Sequence, residues 1–203
     1  MTTIESERTA SEVGRSKRLK DATHAVHDGL DRKIMAFDPF SSRTRYGQFL
    51  KVQHGFHRDI DALYRDTALG ALVADLPDRR RLGLIEDDLA DLEIAAPLYG
   101  EPAMFRDEGG AELPEALGWL YVAEGSNLGA AILLKHAARL DFSTAFGARH
   151  LAGSPQGRAR HWRGFVAALD SVALSDADEA RVIAGAKDAF GRVSDLVQDI
   201  FAN

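Results

Sequence analysis

No cysteine occurs in the chain, which excludes disulfides, thiolate metal sites and cysteine nucleophiles together and fits a reducing compartment. A basic surface is also missing. The formal net charge is −6, and nucleic-acid binding needs clustered cations to meet phosphate, so nucleic acid is not an expected partner. No apolar run reaches the roughly 20 residues of a bilayer span. The polar start, MTTIESERTASEVGRSKR, lacks the apolar core of a secretory signal, and the final SDLVQDIFAN carries no anchor. The expectation is a soluble cytoplasmic protein with no membrane partner. Alternating apolar–polar runs typical of strands are absent, as are internal repeats and low-complexity segments.

What is present is helical periodicity. With 203 residues, 45% of them apolar, and ten phenylalanines, the chain can bury one substantial core. Residues 11–36 place Leu19, Ala22, Val26, Leu30 and Ile34 on one stripe. The turn DPFSS, 38–42, precedes a run with Tyr46, Phe49, Leu50, Phe56, Ile60, Leu63 and Tyr64 at helical spacing to residue 66. A short helix is expected near 67–74, and Asp78 is placed to cap a helix carrying Leu82, Ile85, Leu89 and Leu92. A long helix spans 114–140, FGARHL forms a short one, and 155–172 another. Ser175 with Asp178 reads as a capping box opening the last helix. The fold class is therefore all-α: a single-domain helical bundle over 13–203, after a disordered segment at 1–12.

Seven histidines mark candidate chemistry: His24, His27, His54, His57, His136, His150 and His161. HAVH and HGFH each set two histidines three apart, on neighbouring helical turns. Catalytic zinc needs a further histidine or carboxylate, and HGFH reads as neighbours on a polar face. His27 borders the apolar stripe beside Val26 and Leu30, where it is either a satisfied core residue or an axial metal ligand. A di-iron carboxylate site would need two Glu-x-x-His motifs, and the chain has none; Asp21 with His24 is the one analogue.

EGSNLGAA, 124–131, raises a sharper question, because each glycine inside a helix costs about 1 kcal/mol relative to alanine. Gly125, Leu128, Gly129, Ile132 and His136 share one face. Two readings stand: close packing of a second helix on small residues, or a flat ligand pressed against bare backbone.

The blocks EALGWLYVAEGSNLGAAILLKHAARL, FGARHL and WRGFVAALDS resemble the distal region of the bacterial haem oxygenases. RSKRLKDATHAVHDGLD and DPFSSRTRYGQFLKVQHGFHRDIDALYRD resemble their proximal region. The blocks run in matching order from Arg15 to the C-terminus. The resemblance implies a haem oxygenase-like bundle with haem between a proximal and a distal helix. His27 then matches the proximal iron ligand, and Gly125 and Gly129 match the distal glycines, which would let the helix bend over the porphyrin; His24 does not fall on the ligand position.

In such an enzyme haem b is both substrate and cofactor, dioxygen is the co-substrate, and the protein supplies placement, polarity and water exclusion. The resemblance implies biliverdin, carbon monoxide and ferrous iron as products. Ser126 is placed to hydrogen-bond water or backbone beside the glycines, and Asn127 stands where no carboxylate organises water. The ring nitrogen of His27 that faces away from iron needs an acceptor, which the sequence does not identify. Lys20, two turns or ~10 Å before His27 on the same face, matches a propionate partner. Tyr121 would offer its hydroxyl to the same edge, and His136 would reach the ring margin.

Relatives with Lys and Tyr at the Lys20 and Tyr121 positions seat haem for cleavage at the α carbon. A relative with rotated haem carries Asn and Phe there and Lys at His136, so the expected product is biliverdin IXα. No flavin or nicotinamide fingerprint occurs, so electrons must come from a separate reductase or ferredoxin. Arg15, Lys17, Arg18 and Lys20 form a basic cluster able to dock an acidic donor. A biliverdin acceptor is a further candidate partner, and the protein is expected to act as a monomer, in iron acquisition or in supplying a phytochrome chromophore.

Rival readings are a non-enzymatic haem carrier or sensor on the same scaffold, a thiaminase-like helical enzyme and a helical interaction module. The thiaminase-like enzymes use a cysteine nucleophile, which this chain lacks. An interaction module accounts for neither the glycine-interrupted helix nor the block order.

Overall fold

The computed structural model describes residues 14–107 and 111–202. The expected disorder of residues 1–12 lies outside them. The order is α1 (Arg15–Ala36), α2 (Arg43–Ile60), α3 (Thr67–Leu72), α4 (Leu82–Asp91), α5 (Leu113–Ala137), α6 (Arg158–Ser171) and α7 (Asp176–Phe201), with short 3-10 turns between. Among the described residues there is no strand, only isolated bridges from Ser143 to Phe146 and Gly147. The all-α expectation holds.

Local chemistry sets most of the boundaries. Ser42 Oγ accepts from the Arg45 amide at 3.2 Å, Asp66 from Leu69 at 2.9 Å, and Ser175 Oγ from Asp178 at 3.2 Å. Each such N-cap contributes about 1 kcal/mol. Asp78 caps nothing; it sits inside the 3-10 turn Pro77–Arg79, and α4 starts after Arg81 with no side-chain cap. FGARHL is helical only as a 3-10 turn at Arg149–Leu151, because Gly147 adopts φ +74° and turns the chain first.

The long C-terminal helix α7 is the spine. Helices α5, α1 and α2 all pack on it, α5 most extensively. The core includes fully buried Leu19, Tyr46, Leu50, Trp119, Phe165 and Val182. Contrary to the sequence expectation, one stretch, Leu113–Leu140, is long and apolar enough by length and composition to cross a membrane; half of its most apolar 18-residue window is buried within the fold, as in a core helix. Val26 also departs from expectation. It is 41% exposed rather than part of the buried stripe, beside His27, which is itself exposed.

The histidines of HGFH are not on a polar face. His54 and His57 are both buried, as is His150, whose Nδ1 lies 2.8 Å from Asp88. Burial pushes the His57 imidazole down to about 3 and lowers His54 and His150 as well. In the unfolded chain His57 titrates near 6.5, so the unfolded state takes up a proton that the folded state refuses. Stability should be full above pH 6.5 and fall by about 1.4 kcal/mol per pH unit for this group as pH drops from 6.5 toward 3. Urea titrations from pH 7.5 to 4.5 check this, and His57→Phe should flatten the slope.

Candidate functional site

Helices α1 and α5 lean on α7 rather than on each other. They approach at two places. Tyr121 on α5 is raised in pKa by burial and then by the charge of Asp21 on α1, and Phe40, just past α1, packs on His136 with ring centroids 5.4 Å apart. The two helices therefore run in the same sense, with a cleft between these points. From Asp21 to His27 is about 9 Å along α1, while Gly125 and Gly129 lie about 6 and 12 Å beyond Tyr121 along α5. His27 is thus level with the middle of the glycine pair.

The His27 side chain is 54% exposed and stands edge-on to Phe190 of α7, with ring centroids 5.8 Å apart. Its Nδ1 lies 3.5 Å from an Asp28 oxygen and 3.6 Å from an Asp31 oxygen, one turn on, so two carboxylates stand beside this nitrogen without hydrogen-bonding to it. Its Nε2 has no partner among the described residues. His24 turns further out, 71% exposed, with its Nε2 3.4 Å from Asp28.

Across the cleft, a Cβ added at Gly125 would meet only the Trp162 ring, at an ordinary 3.7 Å, and one at Gly129 would meet nothing within 4 Å. The packing reading of this pair fails. The glycines that let helices touch are Gly118 of α5 and Gly185 of α7, where an added Cβ would collide with backbone. Helix α5 continues through both glycines, from Leu113 to Ala137, and neither has positive φ. The missing side chains leave a flat strip of backbone instead, bordered by exposed Leu128 and Ile132. An imidazole with a free Nε2, exposed Val26 beside it, and bare backbone with apolar borders facing it fit a flat apolar macrocycle carrying a ligatable metal.

Ser126 is committed to the backbone, donating to the Ala123 carbonyl at 2.7 Å. Asn127 is buried, its carbonyl accepting from Arg158 at 2.8 Å. Lys20 is exposed at the end of the cleft marked by Tyr121, and Tyr121 packs on Trp162 with centroids 5.7 Å apart. His136 lies at the opposite end, about 22 Å along α5 from Tyr121, so it does not share the Lys20 edge.

The proposed basic docking cluster does not survive intact. Arg15 is buried, held by Glu179 and the carbonyls of Leu169 and Val172. Arg18 pairs with Glu179 at 2.9 Å, and Lys17 with Asp21 at 2.9 Å. The four cations lie on one helix, but distant Glu179 neutralises Arg15 and Arg18, and Asp21, one turn on, pairs with Lys17.

Sequence reasoning also missed the polar group behind the glycines. Glu124 is buried next to Gly125, accepting from Tyr64 Oη at 3.0 Å and from Arg79 Nη1 at 2.8 Å. Arg79 also grips Asp75 through two bonds of 2.8 and 2.9 Å. The signal was available: Glu124 is the one carboxylate in the apolar run from Ala116 to Leu134. A 480 Å³ pocket lined by Asp75, Arg79, Arg160, His161 and Arg163 lies at α6, and it shares no residue with the cleft.

A family model described as "Heme oxygenase" matches residues 14–199. The chain is 42% identical over 202 residues to "Heme oxygenase PigA" of Pseudomonas aeruginosa, covering all of both proteins. Among solved structures, the NO- and CO-bound heme oxygenase from Neisseria meningitidis superposes with a TM-score of 0.87 at 41% identity, over 94% of this chain and 93% of that one. The heme oxygenase of Leptospira interrogans shares the fold, with a TM-score of 0.70 at 16% identity over 92% of this chain and 100% of that one.

Proposed function

We propose, for a chain that belongs to the haem oxygenase family, that it seats haem between α1 and α5 with His27 on the iron and yields biliverdin IXα, carbon monoxide and ferrous iron. The observation that supports this reading best is a half-exposed His27 imidazole together with a glycine pair against which no described side chain is closely packed, the axial spacings setting the two level. Bound haem supplies the oxygen-activating metal and is itself the substrate. Placement, polarity and water exclusion fall to the protein.

His27 supplies the ring nitrogen Nε2, while Asp28 and Asp31 face its Nδ1 and favour the tautomer that carries its proton there. Gly125 and Gly129 admit the macrocycle and its small ligand where any side chain would intrude. With the Ser126 hydroxyl turned to the Ala123 carbonyl, the distal wall presents backbone and no acid. Leu128, Ile132 and Val26 exclude water from the ring faces. Lys20 and Tyr121 mark one end of the cleft and hold the propionates there; His136, tilted against Phe40 at the far end, offers no competing ammonium. That seating puts the α carbon in reach. A separate reductase or ferredoxin supplies electrons. The absence of cysteine supports a reducing cytoplasm as the site of action, with the protein working as a monomer.

Adding haem and then reductant under air should replace the Soret band with bilin absorbance, and chromatography should give the IXα isomer. A persistent Soret band would mark a carrier, and a δ or β isomer would overturn the seating. Gly129→Ala separates fold from function. It should stabilise the ligand-free protein by about 1 kcal/mol, since alanine is the better helix former and meets no neighbour. Yet it should slow haem turnover by about tenfold or more, because displacement at a reacting centre is costly.

A further inference from the structure

Arg158 opens α6 and spends its guanidinium on two backbone carbonyls. Nη1 donates to the Asn127 carbonyl at 2.8 Å and Nη2 to the Leu151 carbonyl. No carboxylate pairs with it among the described residues, and burial lowers its pKa. The Asn127 carbonyl lies in mid-helix, where it already accepts from the amide four residues on. A second, charge-assisted bond on such an oxygen is not needed to satisfy it. Asn127 stands two residues from each of Gly125 and Gly129.

The other end of this contact is fixed. Leu151 closes the 3-10 turn Arg149–Leu151, and Asp88 holds that turn by accepting from the Arg149 amide at 2.9 Å, the His150 amide at 3.0 Å and His150 Nδ1 at 2.8 Å. Arg81 adds bonds to the His150 and Ala152 carbonyls. Glycine is the residue with most backbone freedom, and among the described residues only the Trp162 ring comes within 4 Å of a Cβ built at Gly125 and none does at Gly129.

We propose that Arg158 is a positioning residue of the distal wall, pinning the bare segment 125–129 to the anchored turn and so fixing the height of that backbone above the bound macrocycle. That it is haem whose height is set rests on the function proposed above; the pinning itself does not. Because Arg158 reaches the segment from behind, it does so without entering the cleft. The contact restrains local opening of α5 at the point where its own side chains cannot.

The test compares wild type, Arg158→Met, which keeps the stem, and Arg158→Lys, which keeps one charged donor. In the ligand-free proteins, amide hydrogen exchange over 128–133 should quicken by about tenfold in Arg158→Met, and by less in Arg158→Lys, while amides of α7 around Ala186 stay within about twofold. In the haem-loaded ferrous proteins, the stretching band of added carbon monoxide should shift or broaden in Arg158→Met and return toward wild type in Arg158→Lys. Unchanged exchange over 128–133 in a folded Arg158→Met protein would overturn the pin. Equal quickening in α7 would also overturn it, showing general destabilisation. If no variant, wild type included, bound haem, the functional reading would fall while the exchange result still decided the pin.

Discussion

His27→Ala is expected to leave the ligand-free fold intact and to cut haem turnover by about a hundredfold or more. The fold survives because the side chain is 54% exposed, its two aspartate neighbours are themselves on the surface, and its packing is one edge-on contact with Phe190. Turnover should fail because, in the proposed function, the His27 nitrogen fixes both the position of the iron and its electronic character. The check is the optical spectrum with added haem, followed by bilin formation on reduction. Added imidazole should restore part of the wild-type spectrum by filling the space left on α1. His24→Ala is the control: at 71% exposure and turned toward Asp28, it should bind and cleave haem as wild type does.

The largest expected effect on stability lies elsewhere on the distal helix. A Cβ at Gly118 would sit 2.3 Å from the Val182 carbonyl oxygen and 2.6 Å from the Ala186 nitrogen, and one at Gly185 would sit 2.7 Å from the Glu115 carbonyl oxygen. These obstacles are backbone atoms, so no rotamer change relieves them and the α5–α7 crossing must open. Gly118→Ala should therefore destabilise by about 3 kcal/mol, lowering Tm by about 6–12 °C for a chain of this size. Gly129→Ala, eleven residues on in the same helix, should raise Tm. Calorimetry on the two ligand-free variants reads the signs directly. Opposite signs mean that one glycine serves packing and the other the ligand; equal losses would return Gly129 to a packing role.

Those two glycines also show how far the sequence could be read. Helical periodicity and caps such as Ser175 located the elements within a few residues, because both signals are local. The ordered blocks around His27 and the Gly125–Gly129 pair carried the family. Which glycine touches another helix is not local: Gly118 and Gly129 are both followed by apolar residues in one helix, and it is the path of α7 that separates them. Likewise, Arg15 and Arg18 read as a free basic cluster until Glu179, some 160 residues away, closes on both. His54 and His57 looked like surface residues because one helix cannot reveal that α4, α7 and the 93–107 loop will cover it. Glu124 was the readable exception, a lone carboxylate in an apolar run that must find a partner when buried. Its partners, Tyr64 and Arg79, were beyond reach.

The most direct measurement of the central claim is a crystal structure of the protein loaded with hemin. The macrocycle should lie between α1 and α5, with iron bonded to His27 Nε2, the ring passing beneath Gly125 and Gly129, and the propionates toward Lys20 and Tyr121. Iron held by His24 or any other group, or a ring bound outside this cleft, would contradict the account.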